Sequence, residues 1–141
     1  MNLLIKKLFA DAKIPQYAHP DDAGMDFFAQ EDVILKAGER KAIGTGVALK
    51  IPQGYVGLFW DKSSRALTNG LKTMAGVIDA GYRGEIKVVL LNSSPKRVMI
   101  KKGEKIAQIL IQPVVHPSLR EVAEFTDKTS RGTNGFGSTG I

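Results

Sequence analysis

Cysteine is absent from the 141 residues, and histidine occurs only twice, as His19 and His116. Without cysteine the chain cannot form a disulfide or a thiolate metal site, and two isolated histidines lack the spacing of a metal centre or a catalytic triad. Long apolar runs are also missing, and "MNLLIKKLFA" has too few apolar residues before Lys6-Lys7 for a signal-peptide core. We therefore expect a cytoplasmic protein that does not associate with a membrane.

The charge of the sequence is basic but dispersed. The formal net charge is +6, yet the longest basic runs are only two residues, as in Lys101-Lys102. Proteins that bind polynucleotides usually concentrate their cations and interleave exposed aromatic side chains with them. Because neither pattern is visible here, we interpret the charge as a solvated surface with a few cations that face a small polyanion such as a nucleotide. We expect no nucleic-acid partner.

Short apolar or alternating runs dominate the rest of the sequence, with Gly, Pro, Asn or Ser between them. Such runs are typical of strands and predict an all-β protein, a jelly-roll-like barrel or sandwich. Residues 63–71 favour one short helix, with a serine N-cap and Asn69-Gly70 at its end. The predicted strands lie in "LLIKKLF", "DVILKA", "GVALKI", "YVGLFW", "EIKVVLLN", "RVMIKK" and "KIAQILIQPVV".

The hydrophobic pattern stops near Thr126. We therefore predict a β domain over residues 1–125 and a flexible, glycine-rich C-terminal tail of the same domain over residues 126–141. The final "RGTNGFGSTG" formally matches the G-x-G-x-x-G of dinucleotide sites, but that fingerprint works between a strand and a helix. Only Ile141 follows the match in this sequence, so we expect no dinucleotide site.

Two aspartates stand where a carboxylate could take part in chemistry. Asp79, in "GVIDAGYRGE", follows an apolar strand, and Ala80-Gly81 would turn the chain into a second strand that leaves from Tyr82. A carboxylate at the mouth of such a hairpin can orient a water by accepting its proton, although aspartate is also common in plain turns. Asp26, in "AGMDFFA", lies in an apolar strand, where an acid needs a lysine, an arginine or a hydrated metal as its partner.

Two polar stretches complete the set of candidate sites. In "WDKSSRA", Lys62 and two serines at the start of the predicted helix could hold a phosphate, or the serine could simply cap the helix. In "KGEKIAQILI", Gln108 lies in an apolar strand, where it could equally be a core polar group with satisfied hydrogen bonds. Each stretch alone is weak evidence of a function.

Taken together, the five stretches resemble the five motifs of the homotrimeric dUTPase family. AGMDFFA, DKSSRAL, GVIDAGYRGE, KGEKIAQILI and RGTNGFGSTG occur in the family's order and at its spacing, from about Ala23 to Gly140. The resemblance implies a β jelly roll that hydrolyses dUTP to dUMP and pyrophosphate with Mg²⁺, in a homotrimer with shared active sites. Such an enzyme, a dUTP diphosphatase, keeps uracil out of DNA and supplies dUMP for dTMP synthesis.

The resemblance also implies a role for each matched residue on the phosphate side. Asp79 would activate the water that attacks the α-phosphorus, and Ser63 would donate to the oxygen that bridges the α- and β-phosphates. Asp26 would reach the Mg²⁺ through the metal's waters, in keeping with the habit of magnesium of retaining several waters. The other residues expected to bind the phosphates are Lys62, Ser64 and Gln108.

The base and the tail have implied contacts of their own. Backbone groups of Gly76, Val77, Ile78 and Lys87 would recognise uracil, with Thr73 nearby, and Tyr82 would pack under the deoxyribose and exclude a 2′-hydroxyl. In the family the tail closes as a lid over a site formed between neighbouring subunits. The tail residues expected to bind substrate are Arg131, on the γ-phosphate, Phe136, stacked on uracil, and Gly137, Ser138 and Thr139.

Three positions depart from the usual family pattern. Lys62 replaces an arginine, which keeps the charge but loses the bidentate fork. Thr73 replaces an asparagine, and Asn134 replaces a glycine. Two alternatives differ in activity: a dCTP deaminase, which shares the fold but is longer and lacks the glycine-rich ending, and a non-catalytic β-barrel that binds nucleic acid through its basic surface.

Overall fold

The computed structural model of the chain describes residues 1–135, which form a β protein with one short helix. The helix α1 spans Ser63–Asn69 and connects β5 to β6. The strands of this part of the chain are β1 (Leu4–Lys7), β2 (Met25–Phe28), β3 (Val33–Leu35), β4 (Arg40–Lys50), β5 (Tyr55–Asp61), β6 (Leu71–Met74), β7 (Val77–Ile78), β8 (Glu85–Asn92), β9 (Val98–Ile100) and β10 (Lys105–Pro113).

The strands form two four-stranded antiparallel sheets and one two-stranded ribbon. The first sheet has the order β1-β4-β8-β6, the second has the order β2-β10-β5-β7, and β3 pairs with β9. Neighbours in the second sheet come from distant parts of the sequence, since β10 lies between β2 and β5. This arrangement brings three of the sequence stretches, around Asp26, Lys62 and Gln108, side by side.

The core lies on the inner faces of the sheets. β8 alternates, so that Ile86, Val88 and Leu90 are buried while Lys87 faces outward, as expected for a strand with one solvated face. β2 is buried along its whole length, and Phe27 packs edge-on against Phe59 with ring centroids 4.9 Å apart. Burial of each such side chain contributes roughly 1.5–3 kcal/mol to stability, so the core fixes both sheets on which the sites are built.

The helix is confirmed, but its predicted serine cap is wrong. The residue at the N-cap is Lys62, without a side-chain capping bond, and Ser63 is the first helical residue. The Lys62 ammonium instead contacts Asp26, so the start of the helix is set by a tertiary ion pair. At the other end, Gly70 has φ 65° and donates its N–H to the Ala66 carbonyl, which confirms the predicted stop.

The predicted hairpin around Asp79 is also wrong. β7 ends at Ile78 and pairs with β5, whereas β8 begins at Glu85 rather than at Tyr82 and pairs with β4 and β6. The segment between them therefore crosses from one sheet to the other. β6, which the sequence pattern did not predict, forms the edge of the first sheet, beside β8.

After β10 the described chain has neither regular secondary structure nor buried residues. Residues 115–135 are exposed throughout and lie outside helices and strands, and three of their apolar side chains, Val115, Leu119 and Phe125, are at least 85% exposed. The division of the domain at residue 125 stays a prediction. Within residues 1–135, α1 is the only helix, and it is far too short to cross a bilayer; the cytoplasmic location stays a prediction.

Candidate active site

The segment that carries Asp79 begins between β6 and β7, where its backbone lies close to β5. Ala75 has φ 51°, in the left-handed region, and turns the chain from β6 in one sheet to β7 in the other. Next to it the Gly76 carbonyl accepts the Phe59 N–H at 2.8 Å. A Cβ at position 76 would lie 2.9 Å from the Phe59 carbonyl oxygen, so this position requires glycine.

The loop from Asp79 to Glu85 is closed by bonds among its own residues. The Tyr82 N–H donates to the Asp79 carbonyl at 3.0 Å, and the Tyr82 hydroxyl donates to the Glu85 carbonyl at 2.9 Å. The Arg83 guanidinium donates to the carbonyls of Ala80 at 2.6 Å and Tyr82 at 2.7 Å. These bonds fix the backbone while the side chains of Asp79 and Tyr82 remain exposed.

A pocket of about 240 Å³, here called the Asp79 pocket, opens beside this loop. It brings together most residues expected to hold the base and sugar, and Gly76 lies directly before it in the chain. Thr73, which was expected nearby, does not line it. The lining residues are Val77, Ile78, Asp79, Tyr82, Glu85 and Lys87.

A second pocket, of about 540 Å³ and here called the Ser63 pocket, lies where β5, β10 and the start of β2 meet. Three residues expected at the phosphates share it: Lys62, Ser63 and Gln108. The Gln108 amide donates to the Asp61 carbonyl at 3.0 Å, so Gln108 bridges β10 to the residue before Lys62. The lining residues are Asp22, Ala23, Gly24, Trp60, Asp61, Lys62, Ser63, Gln108 and Leu110.

Asp26 is a buried acid beside the Ser63 pocket. It is 1% exposed, its Oδ1 accepts from the Lys62 ammonium at 2.7 Å, and the Lys105 ammonium lies 2.6 Å from its Oδ2. Burial would raise the pKa of this carboxyl, but the two lysines outweigh it and hold the pKa below the ordinary 3.8. The predicted need for a cationic partner is confirmed, and two cations meet it.

Lys62 lies between two cavities. On its other side a pocket of about 650 Å³ is bordered by Ser64, Arg65 and Lys105. Ser64, which was expected to bind phosphate, therefore faces this neighbouring pocket, whereas Ser63 lines the Ser63 pocket. The two serines of the motif thus point to different cavities.

Arg131, the one expected substrate-binding residue of the tail that the structure describes, lines neither pocket. Arg131 is exposed, and its Nε donates to the Asn134 carbonyl at 3.0 Å. Phe136, Gly137, Ser138 and Thr139 lie outside the described residues. Their expected contacts with substrate, like that of Arg131, stay predictions.

Comparison with known proteins identifies the family. A family model described as dUTPase matches residues 10–140. The chain is 45% identical to the deoxyuridine 5′-triphosphate nucleotidohydrolase of Clostridium kluyveri, with 99% of each chain covered.

The chain belongs to the dUTPase family.

Solved structures of the dUTPase family have the same fold. The dUTPase of Staphylococcus bacteriophage 80alpha with dUPNHPP superimposes with a TM-score of 0.90 at 34% identity, over 99% of both chains. A variant of the phage phi11 dUTPase of S. aureus, described with a structural Mg(II) ion, gives 0.84 at 31% identity, over 90% of this chain and all of that one. The family resemblance, the jelly-roll-like fold and the class of dUTP diphosphatases expected from the sequence are thereby confirmed.

A magnesium ion bound by the described residues would have to bring most of its own ligands. Residues 1–135 contain no group of three or more His, Cys, Asp or Glu that could hold a metal by themselves. They do contain one buried carboxylate oxygen, Asp26 Oδ2, that lies close to Lys105 without an aligned hydrogen bond. Magnesium bound to substrate phosphates commonly takes one or two carboxylates and keeps its waters; that Asp26 reaches such an ion through those waters stays a prediction.

Sequence reasoning assigned no role to four residues that lie in or beside the two pockets. Lys105 pairs with Asp26, Asp61 lines the Ser63 pocket, Arg83 closes the loop after Asp79, and Glu85 lines the Asp79 pocket. All four lie inside or beside the quoted motifs. The Glu85 carboxylate also accepts the Gly46 N–H at 3.0 Å from β4, a contact between strands that local sequence does not reveal.

Proposed function

We propose that this chain hydrolyses dUTP to dUMP and pyrophosphate by attack of a water on the α-phosphorus. The observation that carries the proposal is the pairing of chemistries in the two pockets. The Asp79 pocket has an exposed carboxylate beside an aromatic ring, and the Ser63 pocket has an ammonium, a hydroxyl and an amide beside a neutralised acid. A base that accepts a proton and a cationic seat for phosphate are what the reaction requires.

In the Asp79 pocket we assign the base and the sugar to the loop that its own hydrogen bonds hold in place. Backbone groups of Val77 and Ile78 would pair with the edge of uracil, with Lys87 beside them, and Tyr82 would lie under the deoxyribose. Since Tyr82 is anchored by its hydroxyl to the Glu85 carbonyl, its ring would exclude a 2′-hydroxyl by position. Discrimination of this kind is large where the wrong substrate leaves polar groups unpaired or clashes.

The chemical step then follows from the groups present. The Asp79 carboxylate accepts a proton from the attacking water while a new P–O bond forms at the α-phosphorus. The bond from that phosphorus to the α,β-bridging oxygen breaks, and pyrophosphate leaves with the electron pair. The Ser63 hydroxyl donates to the bridging oxygen, and Lys62 offsets the negative charge that develops there.

Mg²⁺ carried by the triphosphate supplies further neutralisation of phosphate charge when it is bound. Asp26 would hold the waters of that ion through its oxygens, and Lys62 and Lys105 would keep Asp26 ionised. The two lysines and Asp26 together carry one net positive charge, which favours a polyanionic ligand over a bare cation. Gln108 would contact the phosphate region from β10.

We further propose that two copies of the chain must meet to make one site. β7 pairs with β5 through Gly57↔Ile78 and Leu58↔Val77, and continuing this register puts Asp79 level with Val56. Ser63 lies beyond the other end of β5, at least five residues away, which corresponds to roughly 17 Å. Catalytic groups must come within hydrogen-bond reach of one reacting centre, so Asp79 and Ser63 of one chain cannot serve the same phosphorus.

The homotrimer expected from the family supplies the second copy. The apolar side chains at Val115, Leu119 and Phe125 are almost fully exposed on a single chain, as surfaces that pack against another subunit are. The tail would then bring Arg131, Phe136, Gly137, Ser138 and Thr139 to a site on a neighbouring copy. Closure over the nucleotide would exclude bulk water from the reaction.

In the cell, this activity would remove dUTP before it enters DNA and would supply dUMP for dTMP synthesis in the cytoplasm. We propose no nucleic-acid partner, because Lys62, Arg65 and Lys105 are each paired with an acid.

The test of the proposed function is product analysis with purified protein and Mg²⁺. We expect pyrophosphate and dUMP from dUTP, with much slower release from dTTP and UTP. Ammonia release from dCTP would instead identify a deaminase, and tight binding of single-stranded DNA without hydrolysis would identify a binding module. Absence of pyrophosphate from dUTP at every Mg²⁺ concentration would refute the proposal.

A further inference from the structure

Thr73 does not line the Asp79 pocket, although the family resemblance places it near the uracil. Its N–H donates to Asp61 Oδ1 at 2.6 Å, and its hydroxyl donates to the same oxygen. The neighbouring Lys72 ammonium donates to Asp61 Oδ2 at 2.7 Å. Both oxygens of one carboxylate are therefore held by two consecutive residues of β6.

Asp61 contacts residues of two other strands at the Ser63 pocket. It ends β5, lines that pocket, and directly precedes Lys62 and Ser63. Its backbone carbonyl accepts the Gln108 amide at 3.0 Å. Residues from β6 and β10 thus fix its side chain and its backbone at the same time.

The contact with Thr73 joins the two ends of the segment that connects β5 to β6. The chain leaves β5 after Asp61, makes the helix α1, and returns as β6 at Leu71. A bond between Asp61 and Thr73 joins the two ends of this unit, so the point at which Lys62 and Ser63 leave the sheet is fixed. Rigid support of this kind matters because a shift of about 1 Å in a positioned group can cost on the order of 10²-fold in rate.

The charge of Asp61 agrees with this arrangement. The carboxyl is about a quarter exposed, and although burial would raise its pKa, Lys72 and Thr73 hold that pKa below the ordinary 3.8. An ionised carboxylate accepts all three hydrogen bonds at once, which a protonated one could not do equally well.

We propose that Asp61 is a positioning residue for Lys62 and Ser63, and that Thr73 acts by holding Asp61 rather than by contacting the nucleobase. The inference rests on the proposed function for its kinetic readout. It assigns Thr73 to the leaving-group side of the reaction, opposite to the side that the family resemblance implies.

Two substitutions separate these roles. Thr73→Val keeps the β-branched shape and removes the hydroxyl, and Thr73→Ser keeps the hydroxyl. We expect Thr73→Val to lower kcat for dUTP about tenfold with little change in the Kd for dUMP, which samples the base and sugar, and Thr73→Ser to restore kcat. Thr68→Val, the same change on the exposed face of α1, is the matched control and should leave both values unchanged.

Coupling to Asp61 completes the kinetic test. Asp61→Ala should lower kcat in the same way, and adding Thr73→Val to it should cost little more, because both changes break one contact. Additive losses in the double variant would overturn the proposal. A Thr73→Val enzyme that binds dUMP tenfold more weakly at unchanged kcat would also overturn it, since that result would show that Thr73 contacts the uracil base.

A measurement that does not depend on dUTP turnover separates the proposed function from the positioning role of Asp61 and Thr73. Backbone ¹⁵N relaxation at Lys62 and Ser63 should show increased motion in Thr73→Val and wild-type behaviour in Thr73→Ser and Thr68→Val. If wild-type protein fails to hydrolyse dUTP, the proposed function falls while this measurement still decides the positioning role. If dUTP is hydrolysed and Lys62 and Ser63 are equally rigid in every variant, the positioning role falls alone.

Discussion

The Ser63 pocket and the Asp79 pocket are held in place by different kinds of contact. Around the first, Asp26 is joined to Lys62 and Lys105, and Asp61 is joined to Thr73, across separations of 12 to 79 residues. Around the second, the bonds that close the loop join residues no more than three apart, as from Tyr82 to Asp79 and from Arg83 to Ala80. Contacts between distant residues thus hold the Ser63 pocket, whereas bonds within one turn close the loop at the Asp79 pocket.

This difference predicts how each pocket responds to substitution of its residues. The charges beside the Ser63 pocket are partly or fully buried and depend on one another, so removal of one should be felt by both stability and substrate binding. The Asp79 side chain is exposed and the loop is fixed by backbone carbonyls, so a side chain there can be replaced with little effect on the fold.

Asp79→Asn should give the largest effect on activity. Because an amide cannot accept the proton of the attacking water, we expect kcat for dUTP to fall by about 10³-fold, while dUPNHPP still binds and the thermal midpoint stays near that of the wild type. Steady-state kinetics and calorimetry measure the three quantities. Glu31→Gln, which removes an exposed carboxylate, is the control, and joint loss of binding and stability in Asp79→Asn would show a structural role instead.

Deletion of residues 131–141 should reduce activity by less. We expect a folded protein whose turnover of dUTP falls on the order of 10²-fold, since the lid would no longer orient the nucleotide or exclude water. Circular dichroism and kinetics on the same sample check both parts, with Lys128→Ala in the retained tail as the control. Unfolding of the truncated protein, or turnover at the full rate, would contradict the lid role.

Asp26→Asn should affect stability in a pH-dependent way. The folded pKa of Asp26 lies below 3.8, so its stabilisation is fully present above pH 3.8 and is lost as the pH falls through the lower folded value. At neutral pH we expect the variant to lose about 2 kcal/mol of unfolding free energy, because two partly exposed lysines lose a charged hydrogen-bond partner. Below pH 3.8 the difference from the wild type should shrink.

Urea unfolding at several pH values measures this difference. Asp21→Asn makes the same chemical change at an exposed position and should stay within about 0.5 kcal/mol of the wild type at every pH. A loss at Asp26 that does not vary between pH 7 and pH 2 would show that its ionisation does not contribute.

The smallest effect is expected next to the Asp79 pocket. Ala75 is held at φ 51°, where glycine is unstrained, so Ala75→Gly should stabilise the fold by about 0.5 kcal/mol after the greater entropy of the unfolded chain is subtracted. Ala66→Gly, in α1, should destabilise by a similar amount. Urea denaturation compares the two, and destabilisation by Ala75→Gly would show that the turn is unstrained.

Much of the fold could be predicted because strand patterns are local. Runs such as "EIKVVLLN" and "KIAQILIQPVV" became β8 and β10, and Asn69-Gly70 ended the helix as expected. The pairing of strands was not predictable in the same way. The stretch on either side of Asp79 reads as a hairpin, yet β7 and β8 belong to different sheets, because each finds a better partner far away in the sequence.

The candidate site was likewise predictable from the sequence only in part. The requirement that Asp26 have a cationic partner followed from the cost of burying an acid, but the choice of Lys62 and Lys105 depends on how β2, β5 and β10 assemble. The bond from Thr73 to Asp61 depends on where β6 returns after α1. Motif spacing identified the residues around the site, and only the three-dimensional contacts distinguish those in the pockets from those that hold them.

Mixing two inactive variants tests most directly whether the two pockets of different copies form one site. Asp79→Asn and Ser63→Ala are each purified, mixed in equal amounts, unfolded and refolded together, and assayed for pyrophosphate release from dUTP. If Asp79 and Ser63 act from different subunits, about one quarter of the sites regain both groups, and activity should rise to about one quarter of the wild-type value. Activity that stays at the average of the two separate variants would contradict the account, because both groups would then act from a single chain.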